Sequence, residues 1–155
     1  MKSNLPSVLV LSASELELHL KRPLFENMIH IKGSKDVYRT MKDYINSNRI
    51  CHKEFFWLML LSCANRVVGI ADIASGGTNG VHINLKEIFQ FILLTNASSF
   101  IAIHNHPSGN LNPSVSDYRI TKKLQKLAML IDSSLVDHLI VSQEGYYSFS
   151  DHHAL

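Results

Sequence analysis

The sequence predicts an α/β layered domain, more closely an α+β arrangement, in which a mixed β-sheet is flanked by helices. Short apolar runs of strand length alternate along the chain with segments that carry apolar residues at helical spacing. The chain has 155 residues, of which 46% are hydrophobic and 18% charged. A chain of this size and composition can bury a core and fits one folded domain.

The first part of the chain carries weak signals. Residues 1–25 are predicted to form a loosely specified N-terminal arm, with a helix or strand near residues 9–20. Residues 26–31 alternate polar and apolar side chains, which predicts a short strand. Ser34 is a suitable N-cap for a helix over residues 35–46, because its hydroxyl can accept from a free backbone N–H of the first turn.

A hairpin follows. Residues 54–61 begin with a glutamate and continue as an unbroken apolar run, which predicts a strand buried on both faces. Residues 64–66 supply a turn, and residues 67–73 predict the returning strand. The glycine-rich stretch 75–80 is predicted to be a loop.

The second half alternates helices and strands. Helices are predicted over residues 85–97 and 115–132, where apolar residues recur at helical spacing. A buried strand is predicted over residues 99–104, and another over 135–142. A turn then leads into residues 146–149, the predicted last hairpin arm.

Charge, hydropathy and cysteine content limit the classes of partner and the cellular compartment that we expect. The formal net charge is +2, too small a bias to argue for nucleic acid, which usually demands a basic stripe. No apolar run is long enough to cross a bilayer, so no membrane partner is expected. Cys51 and Cys63 form no CxxC pair, which favours a reduced, cytoplasmic protein. The oligomeric state cannot be read from the residues.

Two histidines and an aspartate form the main candidate site. His104 and His106 lie two residues apart at the end of a predicted strand, so both side chains project to one face. Asp117, in the first turn of the next predicted helix, can fold back over that strand end. Two imidazoles and one carboxylate leave a fourth tetrahedral position open, which is the composition of a catalytic zinc site. Two histidines at this spacing are, however, often ordinary polar residues, and Ser114 with Asp117 equally predicts a helix-capping box.

Other polar residues also have two interpretations. Glu54 abuts the most apolar strand, so its carboxylate either projects over a neighbouring strand end as a general base or is simply solvated. Asp137 and His138 lie at the entry of the predicted strand 135–142, where they either orient a metal ligand or form an ordinary strand-entry pair. The residues alone leave both questions open.

The spacing around the histidine pair is similar to a known signature. His104-x-His106, seven residues, Ser114, two residues and Asp117 resemble the signature of the JAMM (MPN-plus) metallopeptidases, and the string HNHPSGNLNPSVSD resembles that of the bacterial RadC family. The similarity extends from about residue 28 to the end. It implies a JAMM/MPN-like domain over residues 26–155, with a cytidine-deaminase-like architecture. The first 25 residues have no room for the helix-hairpin-helix region of longer RadC-like proteins, so a short form is expected.

The resemblance also implies a chemistry. It predicts one zinc ion per chain, held by His104, His106 and Asp117, and a metallopeptidase or isopeptidase acting on a peptide or protein substrate. Glu54 matches the family's general base, and Ser114 matches the serine that hydrogen-bonds the developing oxyanion. The alternative is a DNA-repair-associated accessory or DNA-binding protein whose metal is structural or vestigial. Nucleic acid thus stays an alternative partner, although the net charge does not support it.

Overall fold

A five-stranded mixed sheet forms the centre of the protein. The structure is a computed structural model and describes residues 23–45, 50–76 and 82–155. The sheet order is β2-β1-β3-β4-β5, in which β3 and β4 are parallel and the other neighbours antiparallel. The strands are β1 (Phe55–Leu61), β2 (Val67–Ser75), β3 (Ser99–Asn105), β4 (Ser134–Val141) and β5 (Tyr146–Ser148). The predicted mixed sheet is confirmed.

Three α-helices in the described part of the chain flank this sheet, which confirms the α+β layered class. They are α1 (Ser34–Tyr44), α2 (Leu85–Thr95) and α3 (Val115–Met129). A short 3-10 turn, Phe25–Asn27, precedes α1. Helix α3 connects the parallel strands β3 and β4, as a crossover between parallel strands requires.

Strand β1 is buried along its whole length, as its unbroken apolar sequence predicts. Its alternate residues pack into two separate cores, because successive side chains of a strand point to opposite faces of the sheet. Phe55, Trp57 and Met59 pack in the core that also holds α1 residues, whereas Phe56 and Leu58 pack with residues of α2 and α3. Both faces of the central sheet are therefore covered.

The sequence-based prediction was wrong at the start of α1. Gly33 occupies the N-cap position, without a side-chain cap, and Ser34 is already helical. The Ser34 hydroxyl instead donates to Asp151 Oδ2 over 2.6 Å and lies 3.1 Å from the Tyr146 hydroxyl. A tertiary contact with the C-terminal segment thus replaces the expected local cap.

Other differences concern element bounds. Residues 26–31 are not a regular strand, since a 3-10 turn takes up the start and only His30 forms an isolated bridge with Arg66. Helix α3 ends at Met129, three residues early, and Asp132 has a positive φ of 50°, which no helix accommodates. The predicted elements at residues 9–20 and most of the loop at 75–80 lie outside the described residues. No described helix is both long and apolar enough to span a membrane.

Candidate metal centre

The histidine pair lies at the C-terminal end of the central strand β3. Even-numbered β3 residues such as Phe100 and Ala102 face the core under α2 and α3, so His104 projects to that side as well. His104 is buried, with 2% exposure, and its ring stacks on Phe56 at a centroid distance of 6.2 Å. His106 lies just beyond the strand, where its backbone N–H donates to the Val141 carbonyl over 3.2 Å.

The capping box of α3 brings Asp117 to the same place. Asp117 Oδ2 accepts from the Ser114 backbone N–H at 2.6 Å and from the Ser114 hydroxyl at 2.7 Å. The other oxygen, Oδ1, faces His104 Nε2 at 3.2 Å. Capping and metal binding were competing interpretations of this sequence, yet the two carboxylate oxygens can serve one role each.

The three side chains converge at ligand distances. His104 Nε2 lies 3.0 Å from His106 Nε2. Asp117 Oδ1 lies 3.2 Å from His104 Nε2, and Asp117 Oδ2 lies 3.6 Å from His106 Nε2. Ligands about 2.0–2.2 Å from a tetrahedral zinc ion are separated from one another by about 3.3–3.6 Å. The observed separations are within a few tenths of an ångström of that range, so the three groups fit one small cation.

A chain of hydrogen bonds fixes the tautomer of His104. The Thr121 hydroxyl donates to the Asp117 carbonyl over 2.6 Å, so its oxygen must accept from His138 Nδ1 at 2.7 Å. With Nδ1 protonated, neutral His138 presents Nε2 as an acceptor. It can therefore accept only from His104 Nδ1, 2.9 Å away. His104 consequently carries its proton on Nδ1 and turns the lone pair of Nε2 toward the centre.

His106 is oriented in the same sense. Its Nδ1 lies 2.5 Å from the Asn110 carbonyl oxygen, which can only accept, so Nδ1 carries the proton. The Nε2 lone pairs of His104 and His106 thus face each other at 3.0 Å. Two lone pairs at this distance repel unless a positive charge lies between them. Either a proton or a metal ion between the two nitrogens would remove this repulsion.

The titration behaviour follows from this packing. Burial alone would raise the pKa of the Asp117 carboxyl, but its contacts with His104, His106 and Ser114 outweigh burial and hold that pKa well below its usual range. The same hydrogen-bonded contact with Asp117 raises the pKa of His106. Burial, together with His104, holds the pKa of His138 well below its ordinary value, so His138 stays neutral.

Glu54 stands beside the centre. One of its carboxylate oxygens lies within 4.8 Å of the ligand nitrogens of both His104 and His106, and its side chain is half-buried. Asp117 approaches those nitrogens more closely, at 3.2 and 3.6 Å. Glu54, His104 and His106 could therefore hold a metal ion, and the shorter contacts of Asp117 make its carboxylate a further candidate ligand.

Asn105, between the two histidines, holds the Glu54 segment in place. It points to the opposite face of β3, is fully buried, and makes three hydrogen bonds. Its Nδ2 donates to the carbonyls of Ile50 at 2.6 Å and Lys53 at 2.9 Å, and its Oδ1 accepts from the Phe55 backbone N–H at 2.7 Å. The sequence interpretation missed this residue. Its signal is a polar side chain at a strand position that faces an apolar core.

Comparison with known proteins assigns a family. A profile described as "RadC-like JAB domain" matches residues 31–154, most of the chain. The chain belongs to the RadC-like JAB domain family. The resemblance first drawn from the histidine and aspartate spacing is thereby confirmed, and the mixed sheet agrees with the fold of the JAB/MPN superfamily.

Curated relatives support the same assignment. A UPF0758 protein of Flavobacterium johnsoniae is 34% identical over 145 residues, which are 94% of this chain and 62% of the relative. A UPF0758 protein of Chlorobaculum tepidum is 34% identical over 141 residues, 90% of this chain and 62% of the relative. One from Coprothermobacter proteolyticus is 38% identical over 98 residues, 63% of this chain and 42% of the relative. The RadC-like chain thus spans less than two thirds of the length of these relatives.

The remaining predicted site residues have mixed outcomes in this RadC-like domain. The Ser114 hydroxyl is engaged by Asp117 Oδ2 at 2.7 Å and lies 2.8 Å from the Ser116 hydroxyl. Its oxyanion role stays a prediction, because it needs that proton to turn toward substrate. Of the Asp137–His138 pair, His138 contacts the candidate ligand His104 through a ring nitrogen, 2.9 Å from His104 Nδ1. Asp137 has the structural role, accepting from Ser148 Oγ at 2.6 Å.

Proposed function

We propose that this RadC-like protein is a zinc-dependent hydrolase that cleaves amide bonds of a peptide or protein, as a metallopeptidase or isopeptidase. The observation that carries the proposal is the convergence of two imidazole Nε2 atoms, 3.0 Å apart, on the Asp117 carboxylate, beside the half-buried carboxylate of Glu54. Asp117 Oδ1 lies 3.2 Å from His104 Nε2, and Asp117 Oδ2 lies 3.6 Å from His106 Nε2. A structural site would close the fourth position with another ligand, whereas this set leaves it open.

The donor chemistry suits zinc. Neutral imidazole nitrogen together with carboxylate oxygen is a common ligand combination for catalytic zinc, and the proposal is one ion per chain on His104, His106 and Asp117. When bound, zinc supplies a Lewis acid and lowers the pKa of water to about 7.

The protein's own residues then move the proton and hold the substrate. Glu54, within 4.8 Å of both ligand nitrogens, is placed to take a proton from water and return it to the leaving amine. Asn105 keeps Glu54 in register with the centre through its bonds to Ile50 and Lys53. Ser114, if its hydroxyl turns from Asp117, donates to the oxygen of the scissile carbonyl.

The metal assignment is tested by metal analysis of protein purified without chelators. We expect about one zinc per chain, the stoichiometry of a mononuclear site, and its loss in His104→Ala and Asp117→Ala. His30→Ala, which changes an exposed histidine outside the cluster, serves as the matched control and should keep the metal. Wild-type protein without zinc after this purification would refute the site.

The assignment of the base is tested by Glu54→Gln, which keeps the shape of the side chain and removes its basicity. We expect unchanged zinc content and a fall in hydrolysis of roughly 10²–10⁴-fold, the usual contribution of a general base. Activity is measured against libraries of peptides and of isopeptide-linked substrates. Glu144→Gln, in an exposed hairpin turn, is the control and should stay fully active. A fully active Glu54→Gln variant would remove Glu54 from the mechanism.

The alternative, a DNA-associated accessory protein, makes the opposite forecast. It expects no hydrolysis in any peptide library, with zinc bound if the site is structural and absent if the site is vestigial. It also expects DNA binding that weakens steeply with salt. Hydrolysis and DNA binding, both measured on one protein preparation, therefore distinguish the two functions.

A further inference from the structure

The candidate centre lies in a cleft of about 1360 Å³, and cations line that cleft on two sides. Lys53 lies beside Glu54 before β1, and Arg119 and Lys123 lie on α3. The acidic residues in the lining are Glu54 and Asp117, both part of the proposed centre. Two charges of a bound zinc ion would balance these carboxylates, so the three cations would be left without counter-charge.

The α3 cations belong to one helix face. Ser116, Arg119, Ile120 and Lys123 all line the cleft, and their spacing of three and four residues places them on one side of the helix. Lys123 is six residues beyond Asp117, about 9 Å along the helix axis at 1.5 Å per residue. In an extended peptide that distance corresponds to about three residues.

Among the described residues, no carboxylate neutralises these cations. Arg119 and Lys123 are exposed, and in the part of the chain that the structure describes neither has an ion-pair partner. Lys53 donates to the neutral Ser75 hydroxyl over 3.2 Å and lies 5.1 Å from the centre of the Phe55 ring, so its charge is also not neutralised. Of the stretches outside the described residues, 46–49 and 77–81 contain no Asp or Glu, whereas residues 1–22 contain Glu15 and Glu17.

We propose that the substrate is an acidic peptide segment, with at least one Asp or Glu within about three residues of the cleaved bond, bound along α3 by Arg119 and Lys123. The inference rests on the proposed amide hydrolysis and names its substrate class. An acidic peptide suits this site better than nucleic acid, because the unpaired cations border one concave cleft and the chain carries a net charge of only +2.

The test uses binding, so that it does not depend on turnover. Two rhodamine-labelled peptide pools of equal length differ only in carrying Asp and Glu or the neutral Asn and Gln. Their affinity for the zinc-loaded Glu54→Gln protein is measured by fluorescence anisotropy. We expect the acidic pool to bind roughly 2- to 30-fold more tightly, the range for two exposed charge pairs, and to lose this advantage in about 1 M salt.

Matched charge variants test whether the preference for the acidic pool comes from the cations that line the cleft. Arg119→Gln with Lys123→Gln should remove the preference for the acidic pool. Lys122→Gln with Lys126→Gln should keep it, because these exposed lysines are on the same helix but do not line the cleft. The same comparison on metal-free protein excludes direct coordination of peptide carboxylates by zinc as the cause.

Three results would overturn the proposal. They are equal affinity for the two pools, equal losses in the two double variants, or tighter binding of a single-stranded oligonucleotide that disappears with Arg119 and Lys123. Failure of the proposed function would instead appear as absent zinc or absent hydrolysis, neither of which the comparison on metal-free protein requires. The two failures are thus distinguishable.

Discussion

At the scale of single residues, the centre depends on side chains with two polar atoms. One atom makes a hydrogen bond within the protein, and the other faces the centre. Asp117 gives Oδ2 to the cap of α3 and leaves Oδ1 facing His104. In both His104 and His106, Nδ1 makes a hydrogen bond within the protein and Nε2 faces the centre. Because a metal ligand must be deprotonated, the partner of Nδ1 decides whether Nε2 can bind.

His138 should therefore control zinc affinity without touching the ion. His138→Leu removes the acceptor of the His104 Nδ1 proton, so the proton can move to Nε2 and block coordination. We expect zinc binding to weaken about 10- to 100-fold, as for other residues that orient a metal ligand. His138→Gln offers an oxygen in place of Nε2 and should lose much less.

The measurements are zinc competition with a chromophoric chelator and the nitrogen NMR signature of the His104 tautomer in metal-free protein. A merely structural role would alter stability but leave the tautomer unchanged. Equal zinc affinity in wild type and His138→Leu would show that the hydrogen-bond chain has no influence on the ligand.

At the scale of elements, the site is assembled where β1, β3 and α3 meet. The cap starts α3 so that Asp117 turns over the end of β3, and β1 pairs with β3 so that Phe56 is opposite His104. Asn105 then ties the segment before β1 to the edge of β3. Glu54 is thus flanked by residues bonded to Asn105, and its own carbonyl accepts from the Gly76 N–H over 2.8 Å.

Replacing Asn105 with Ala should separate the base from the metal. The Ile50 and Lys53 carbonyls lose their donor in a buried place, so we expect the free energy of unfolding to fall by roughly 2–4 kcal/mol. Hydrolysis should drop because Glu54 is no longer held, while zinc content stays near that of wild type. Urea unfolding, metal analysis and peptide turnover measure the three effects. Unchanged turnover in a folded Asn105→Ala protein would contradict the positioning role.

At the scale of the whole molecule, a metal on this centre links the central sheet to α3. Two ligands come from the β3 end and the third from the helix that crosses over to β4. The unfolded chain cannot hold the three groups together, so a bound ion stabilises the folded state by mass action. The same ion would relieve the repulsion of the two lone pairs.

Zinc should therefore raise the thermal midpoint of the protein. At a free zinc concentration one hundred times the dissociation constant, the gain is about 2.7 kcal/mol, which in a chain of this size corresponds to roughly 5–10 °C. Calorimetry before and after treatment with a chelator measures the shift. His106→Ala should abolish it, and a chelator-independent midpoint in wild type would contradict the coupling.

The zinc-induced shift should also depend on pH. The hydrogen-bonded contact with Asp117 raises the pKa of His106 in the folded, metal-free protein. Below that pKa the proton stabilises the metal-free fold, and zinc must displace it, whereas above it Nε2 is free. We expect the shift at pH 8 to exceed that at pH 6, measured by calorimetry in the same buffer series. A larger shift at the lower pH would reverse the assigned sign.

The sequence by itself predicted the strands and helices whose signals are local, and it singled out His104, His106 and Asp117 as candidate ligands. An unbroken apolar run specifies β1, and the i, i+2 spacing of His104 and His106 places both on one face. Only the tertiary structure decided how Asp117 combines cap and ligand, which tautomer His104 adopts, and what Asn105 holds. The contacts to His138 and Ile50 span 34 and 55 residues. No local periodicity encodes such contacts, since strand pairing alone brings these residues together.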